Sequence, residues 1–471
     1  MRRSPRRTLM ELSSSLAGIF GVRHSQPLLR ASSLGHAHAI GDPPPPLSPP
    51  RSGGVRMAAT AQKDEVVGNG VAAAAAAASA VISRPLQVSK RLEQFQPTVF
   101  TLMSSLALTH QAINLGQGFP NFDGPDFIRE AAIQALRTVG RNQYARGFGV
   151  PELNAAISRR FEKDTGLKVD PDTEITVTCG CTEAISSTIL GLLDPGDEII
   201  MFAPFFDVYQ VVTAMVGAKM KTVVLRPENG FAVPEDELRA AFTSKTRAIL
   251  VNTPHNPTGK VFSRGELELI ASLCVEHDVL AFTDEVYSRL VFDGEHVSLA
   301  SIKGMFERTV TMSSMGKTYS FTGWKVGWAI APPHLSYGIR QAHSNITFST
   351  ATPLQWGAVA ALEAPESYYQ DLRSAYIARK DILVQGLKEV GFKVYEPQGT
   401  YFVMVDHTPF GFKDDMEFCM HLVHKVGVAA IPPSGFYEDP QDGKHLVRFA
   451  FCKDEDTLKA AVRKLRDHLK Y

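Results

Sequence analysis

Between Asp172 and Tyr287 the chain repeats one pattern, a short apolar run of strand length followed by an amphipathic run of helix length. The strand-length runs are "EITVTCG", "DEIIMFAP", "MKTVVL", "RAILVNTP" and "VLAFTDEVY". Between them stand "CTEAISSTILGLL", "FFDVYQVVTAMVG", "PEDELRAAF" and "RGELELIASLCVEHD". Strands that are apolar along their length, not at every second residue, need cover on both faces. A largely parallel sheet between helices provides it. "RTVTMSS" and "KVGWAIAP" add two more strands. The pattern predicts an α/β large domain with a mostly parallel mixed sheet between helices.

After "APESYY" the rhythm changes. A helix from Tyr368 to Val390, the strand-like "FKVYEPQGTYFVMVD", a helix over "KDDMEFCMHLVHKVG", a strand at "HLVRFAF" and a final helix to Lys470 read as a smaller α+β domain. The expected division is a leader and spacer over 1–84, an N-terminal segment over 85–130 packing with the small domain, a large domain over 131–354 and a small domain over 355–471.

The first eighty residues are set apart by composition. "MRRSPRRTLMELSSSLAGIFGVRHSQPLLR" is rich in Arg and Ser and carries a single acid, Glu11. "GDPPPPLSPPRSGG" and "VAAAAAAASAVI" follow it. An Arg- and Ser-rich, acid-poor opening is that of an organelle transit peptide, and the Pro and Ala tracts read as spacer. A chloroplast is favoured over a mitochondrion, and Met57 is a second start that would give a cytosolic form. A merely disordered tail is the plainer alternative. The apolar runs there are too short and broken to cross a membrane. With 49 basic and 49 acidic residues the formal net charge is zero, so no basic face for nucleic acid or acidic lipid is implied. Five scattered cysteines fit neither a disulfide framework nor a zinc site, and no metal is expected. Cys179–Gly180–Cys181 would suit a redox pair, although small residues at a strand end explain it as well.

In open α/β sheets ligands bind where strand C-termini meet loops. Cys179–Thr182, Pro204–Phe206, Asn252–Gly259 and Asp284–Tyr287 all fall at such ends. Asn256 precedes Pro257 and is therefore held out of the helical region, free to face a cleft. Asp284 closes an interior strand and needs a partner there. Taken singly, each serves equally as a turn or a helix cap. "SSMGKTYSFTGWKVGW" adds two lysines, Lys317 and Lys325, inside otherwise interior sequence. A buried ammonium is unfavourable unless it is paired or loses its proton.

The order "NPTG", "DEVY", "GKTYSFTGWKVGW" resembles the fold-type I pyridoxal-phosphate aminotransferases of class I. "NLGQGFPNFDGPDF", "NQYARGFGVPEL", "APFFDVY" and "VRFAFCKDEDTL" are similar to the branch of kynurenine aminotransferases, glutamine transaminase K and methionine aminotransferases. The likeness runs from about Phe95 to the C-terminus. It implies pyridoxal 5'-phosphate as cofactor, with Lys317 its covalent attachment point and proton carrier. Asp284 would pair with the ring nitrogen, and Asn256 and Tyr287 with the phenolic oxygen. Phe206, or Phe205 one residue earlier, would stack on the ring. Gly180, Cys181, Thr182 and Lys325 would hold the phosphate, joined by Tyr144 of a neighbouring subunit in a homodimer with shared sites. Arg448 would grip the substrate α-carboxylate, with the Gly118 backbone beside it. Phe100, Phe348 and Phe402 would line the side-chain pocket.

The resemblance thus implies transfer of an amino group between an aromatic, kynurenine, methionine or glutamine-type amino acid and a 2-oxo acid, with ping-pong kinetics. Mammalian members of the branch carry Trp where Phe100 stands and His where Ser349 stands. A lyase acting on cysteine conjugates on the same fold and a non-catalytic scaffold are the alternatives.

Overall fold

The computed structural model describes residues 88–95 and 98–469, all within the compact unit Pro85–Tyr471. The leader reading of residues 1–84 and the second start at Met57 lie outside the described residues. Twelve strands are present among the described residues: β1 (Ile113–Asn114), β2 (Ile175–Thr178), β3 (Glu198–Ala203), β4 (Lys219–Val224), β5 (Thr246–Asn252) and β6 (Leu280–Asp284) first. β7 (Thr309–Ser314), β8 (Gly327–Ile330), β9 (Lys393–Tyr395), β10 (Phe402–Asp406), β11 (Val428–Ala429) and β12 (Leu446–Ala450) complete them.

Seven strands form the main sheet in the order β2-β8-β7-β6-β5-β3-β4. Only β8 runs against the others, pairing antiparallel with β2 and β7. Every residue of β2, β3, β6 and β8 is buried, as strands covered on both faces require. β4 lies at the edge and alternates, with Lys219 and Lys221 exposed, a charged edge that discourages further pairing. Because β8 is reversed, it begins at the same sheet edge where β7 ends, and Ser314 pairs with Gly327. The connection 315–326 therefore leaves and re-enters one edge, carrying both Lys317 and Lys325 there.

β9, β10 and β12 make a second, antiparallel sheet in which Met404 lies opposite Arg448. β1 pairs in parallel with β11, and the Ala450 amide donates to the Leu115 carbonyl (2.7 Å). These contacts bring the loop after β1, Gly116–Phe119, against β12.

The helices form where pattern and caps agree. Ser263 and Glu266 make a reciprocal capping box at the start of the Arg264–Glu276 helix. Leu458, Ala461, Val462 and Leu465 give the last helix, Glu455–His468, one buried stripe. Two elements differ from expectation. The helix read from Phe205 starts at Val208, which leaves Phe205 and Phe206 in the connection after β3. The helix over "KDDMEFCMHLVHKVG" is α-helical only over Asp415–His421 and finishes as a π-helical turn, Leu422–Val426, before Gly427 at φ +78°.

Candidate active site

A cleft of about 220 Å³ opens at the C-terminal edge of the main sheet. Thirteen of the fifteen residues expected at the site line it: Lys317, Asp284, Tyr287, Gly180, Cys181, Thr182, Phe206, Asn256, Lys325, Gly118, Arg448, Phe100 and Phe402. Phe205 is instead buried, its amide donating to the Phe436 carbonyl (2.9 Å), so the cleft-facing ring of the pair is Phe206. Tyr144 and Phe348 do not line the cleft. They are 83% and 52% exposed and meet edge to face, ring centroids 5.1 Å apart.

One end of the cleft is the start of the Cys181–Leu192 helix. Gly180 at φ +78° turns the chain from β2 into this helix. The first two helical amides, of Cys181 and Thr182, have no acceptor among the described residues, as helix geometry dictates for a first turn. Lys325 lies over them: a Cβ on Gly180 would come within 3.1 Å of the Lys325 Nζ. Gly327 makes the close approach possible, since a Cβ there would stand 2.5 Å from the Gly180 carbonyl carbon. Two free amides, a helix N-terminus and an ammonium are the donor set a phosphate dianion calls for.

At the floor, Asp284 ends β6 and is almost fully buried. The Tyr209 hydroxyl donates to its Oδ2 (2.7 Å), and the Val286 amide (3.3 Å) and Cys181 thiol (3.6 Å) donate to its Oδ1. Burial pushes the carboxyl pKa up, against the pull of these donors and of Lys317. A cationic ring nitrogen beside it would remove that penalty.

Lys317 follows β7 and stands between Tyr287 and Tyr401, its Nζ 6.0 and 5.9 Å from their ring centroids. Burial lowers its pKa, and the nearby cations Lys325 and Arg448 act in the same direction. A neutral amine is the form able to attack a carbonyl.

At the other end Arg448 is 1% exposed, stacked over Phe402 at 4.1 Å. Its Nη1 donates to Asn256 Oδ1 (3.0 Å) and its Nη2 to the Gly116 carbonyl (2.8 Å), while the buried Nε has no partner. Burial pulls its pKa down to about 10. Asn256 in turn donates its amide to Asn252 Oδ1 (2.7 Å), and Asn252 Nδ2 donates to the Asp284 carbonyl (2.8 Å). Asn256 Nδ2 has no acceptor among the described residues and belongs to a residue facing the cleft. A Cβ on Gly118 would meet Phe402 Cζ at 2.6 Å, so only glycine leaves this wall intact.

Sequence reasoning missed Tyr209, Asn252, Ser314 and Gln117, which also line the cleft. Tyr209 lies in the first turn of the Val208–Val216 helix, three residues after Phe206 in "APFFDVY", and its place in that motif was the one local signal available. The five cysteines are all free, and the two in Cys179–Gly180–Cys181 face Thr350 and Asp284 respectively.

Lys317, Lys325 and Arg448 line the cleft, whereas Asp284 is the only acid lining it among the described residues. The surplus of positive charge fits a bound dianion and a carboxylate together. A ring that pairs with Asp284, with its phosphate at the Cys181 helix start and its carbonyl carbon at Lys317, fits the donors present. When bound, pyridoxal phosphate supplies the electron sink for chemistry at an amino-acid Cα. The chain's own groups would hold it at both ends.

The aminotransferase class I and II family matches residues 110–465. A probable N-succinyldiaminopimelate aminotransferase of Mycobacterium tuberculosis is 46% identical over 386 residues, covering 80% of this chain and 97% of that protein. The solved structure of an N-succinyldiaminopimelate aminotransferase from that organism superimposes with TM-score 0.79, at 45% identity over 81% of this chain and all of the other. The methionine aminotransferase of Escherichia coli is 40% identical over 385 residues, 82% of this chain and 99% of that one. Human kynurenine--oxoglutarate transaminase 1 is 40% identical over 410 residues, 80% and 97% of the two chains. With the family matched along most of the chain and these relatives covered almost end to end, the chain is a member of the class I and II aminotransferases, an enzyme of pyridoxal-phosphate-dependent transamination.

Proposed function

We propose that this aminotransferase takes monocarboxylic donors with apolar or amide side chains, of the methionine, aromatic, kynurenine or glutamine kind, and passes their amino group to a 2-oxo acid. The observation that carries the reading is the distribution of charge in the cleft. Its three cations are each committed, Lys325 at the phosphate end, Lys317 at the reacting carbon and Arg448 at the α-carboxylate. The remaining wall near Arg448 is aromatic, with Phe100 and Phe402 stacked 5.0 and 4.1 Å from its guanidinium. A donor with a second, distal carboxylate, as the name of the Mycobacterium tuberculosis relative implies for that protein, would find no further cation among the described residues that line the cleft of one protomer.

Within this reading Lys317 accepts and returns the Cα proton. Asp284, held by Tyr209 and Cys181, keeps the ring nitrogen protonated, and Asn256 Nδ2 and Tyr287 donate to the phenolic oxygen. Phe206 covers the ring. Tyr144 reaches the phosphate of a second copy of this chain, and Phe348 lies at the same contact, which accounts for the exposure of both rings in one protomer. The Arg- and Ser-rich leader directs the chain to a chloroplast. A fluorescent fusion of residues 1–84 that stayed cytosolic would refute that last point.

The test of the reaction is a rate profile across amino acids with a fixed 2-oxo acid, assaying new amino acid against free ammonia and pyruvate. Methionine, phenylalanine, kynurenine or glutamine should exceed aspartate by about tenfold or more, the value of an unmatched buried charge. Ammonia or pyruvate release from a cysteine conjugate without amino transfer would favour the lyase reading.

A further inference from the structure

Lys453 is a buried cation without a carboxylate. It is 4% exposed, forms no ion pair among the described residues, and does not line the cleft. Its Nζ donates to two carbonyls of one loop, Gln117 O (3.2 Å) and Phe119 O (2.5 Å), and lies 4.8 Å from the Phe119 ring. Burial lowers its pKa. Removing an ammonium from water is unfavourable, and carbonyl dipoles alone offset that only in part.

The loop it holds is the one that faces the Arg448 end of the cleft. Its carbonyls are all engaged: Gly116 by Arg448 (2.8 Å), Gly118 by the Tyr401 hydroxyl (2.7 Å), and Gln117 and Phe119 by Lys453. The amides of Gly116 and Gln117 both donate to Asn114 Oδ1 (3.0 Å each). The amide of Gly118 is left without an acceptor among the described residues, on a residue that lines the cleft beside Arg448. A peptide unit turned the other way would present a carbonyl oxygen to the incoming carboxylate and repel it.

We propose that Lys453 is a positioning residue for the substrate carboxylate. By drawing the carbonyls of Gln117 and Phe119 toward itself it fixes the loop with the Gly118 N–H facing the cleft. Its charge adds to that of Arg448; neither cation forms an ion pair among the described residues, and the carboxylate that would pair is the one substrate brings. The inference rests on the reading of Arg448 and Gly118 as the carboxylate clamp.

The experiment uses the holoenzyme with Lys453→Met, which keeps length and removes charge and donors, Lys453→Arg, and Arg448→Lys as a check on the clamp itself. KM and kcat are measured for donor and oxo acid. Binding of 3-phenylpropanoate, and of phenethylamine, which lacks the carboxylate, is read from the cofactor absorbance. K453M should raise both KM values and the 3-phenylpropanoate Kd by about tenfold, with kcat within about threefold, and K453R should recover most of the loss. Phenethylamine binding should not move. Unchanged KM, or equal weakening of the two ligands, overturns the proposal. If R448K leaves 3-phenylpropanoate binding intact, the clamp reading itself fails. If R448K loses it and K453M does not, only the role of Lys453 fails. Should K453M not fold, K453R and K453Q decide, because equal KM values for a charged and an uncharged donor are incompatible with the proposal.

Discussion

Lys317 carries the sharpest expectation at the scale of single residues. Its amine is held below the ordinary lysine range by burial and by Lys325 and Arg448. A lowered pKa means that the neutral form appears at lower pH than in a free lysine. The rate of covalent attachment of pyridoxal phosphate to apoprotein should rise with pH and level off below pH ~10.4, the value of an unperturbed lysine. Lys317→Ala should lose the absorbance of the attached cofactor and at least ~10²–10⁴-fold in transfer rate. A plateau at the free-lysine value would contradict the electrostatic account, and turnover retained by the alanine variant would contradict the assignment. Residue by residue, Asn256 and Asp284 stood out as polar side chains at the ends of apolar strands, whereas the places of Arg448, Gly118, Phe206 and Lys325 were legible only through the resemblance of the motifs that carry them. Tyr209, Tyr401 and Lys453 were not legible. The two tyrosines read as ordinary members of apolar runs, and Lys453 as one charge in the solvated run "KDEDTL". Their partners lie 75, 283, and 334 to 336 residues away in the chain. No local pattern encodes such a contact.

At the scale of elements, one buried ion pair ties three segments together. His343 Nδ1 donates to Glu183 Oε1 (2.7 Å) and its Nε2 to the Gly147 carbonyl (2.6 Å). With Glu183 ionised both partners are acceptors, and the ring then carries both protons. Glu183 also accepts from the Cys179 amide. The Pro333–Ile346 helix, the strand-to-helix turn of the phosphate end, and the segment that bears Tyr144 are thereby joined. Burial alone would lower the His343 pKa, but the hydrogen bond and charge of Glu183 raise it. For Glu183 burial works upward, and the bonds from His343, Thr347 and Cys179 bring the pKa below the ordinary value. The sign follows. The histidine's contribution is complete below pH ~6.5 and is lost as pH climbs through its elevated pKa, whereas the glutamate's is complete above ~4.3 and is lost as pH falls through its lowered one. His343→Gln should therefore destabilise by about 3 kcal/mol near pH 6, and the difference from the parent should shrink at pH 9. Thermal unfolding at both pH values measures this, and a difference independent of pH would show that the ring is held neutral. Strand and helix positions were legible because β2, β3, β6 and β8 are rich in apolar residues with no regular polar alternation, as strands buried along their whole length are. The reversal of β8 was not, since an antiparallel strand buried on both faces has the same composition as a parallel one.

At the scale of the whole molecule, the exposed Tyr144–Phe348 pair bears on assembly. If Tyr144 serves the site of a second copy, two defective chains should repair each other. Mixing Lys317→Ala with Tyr144→Phe, under conditions that exchange subunits, gives a heterodimer in which one site has both an intact lysine and an intact tyrosine. Activity at limiting cofactor should then exceed the sum of the two parents. No gain, with exchange demonstrated by mass, would place Tyr144 in the service of its own chain.

The connection 315–326 has one further consequence. Because Ser314 and Gly327 are paired in one ladder, the span between Lys317 and Lys325 is set by the length of a segment clamped at both feet, like the jaws of a fixed-gap gauge. Asp284 and the Gly180–Thr182 turn belong to the same sheet body, so every predicted hold on the cofactor from within this chain is on one side of the gauge. Arg448 belongs to the other sheet, and with Lys453 it governs the 116–119 loop. A displacement of one sheet against the other would thus loosen or tighten the grip on substrate while the cofactor stayed seated. That division suits an enzyme that must release a keto acid and admit another between its two half-reactions without losing the amino group it has just received.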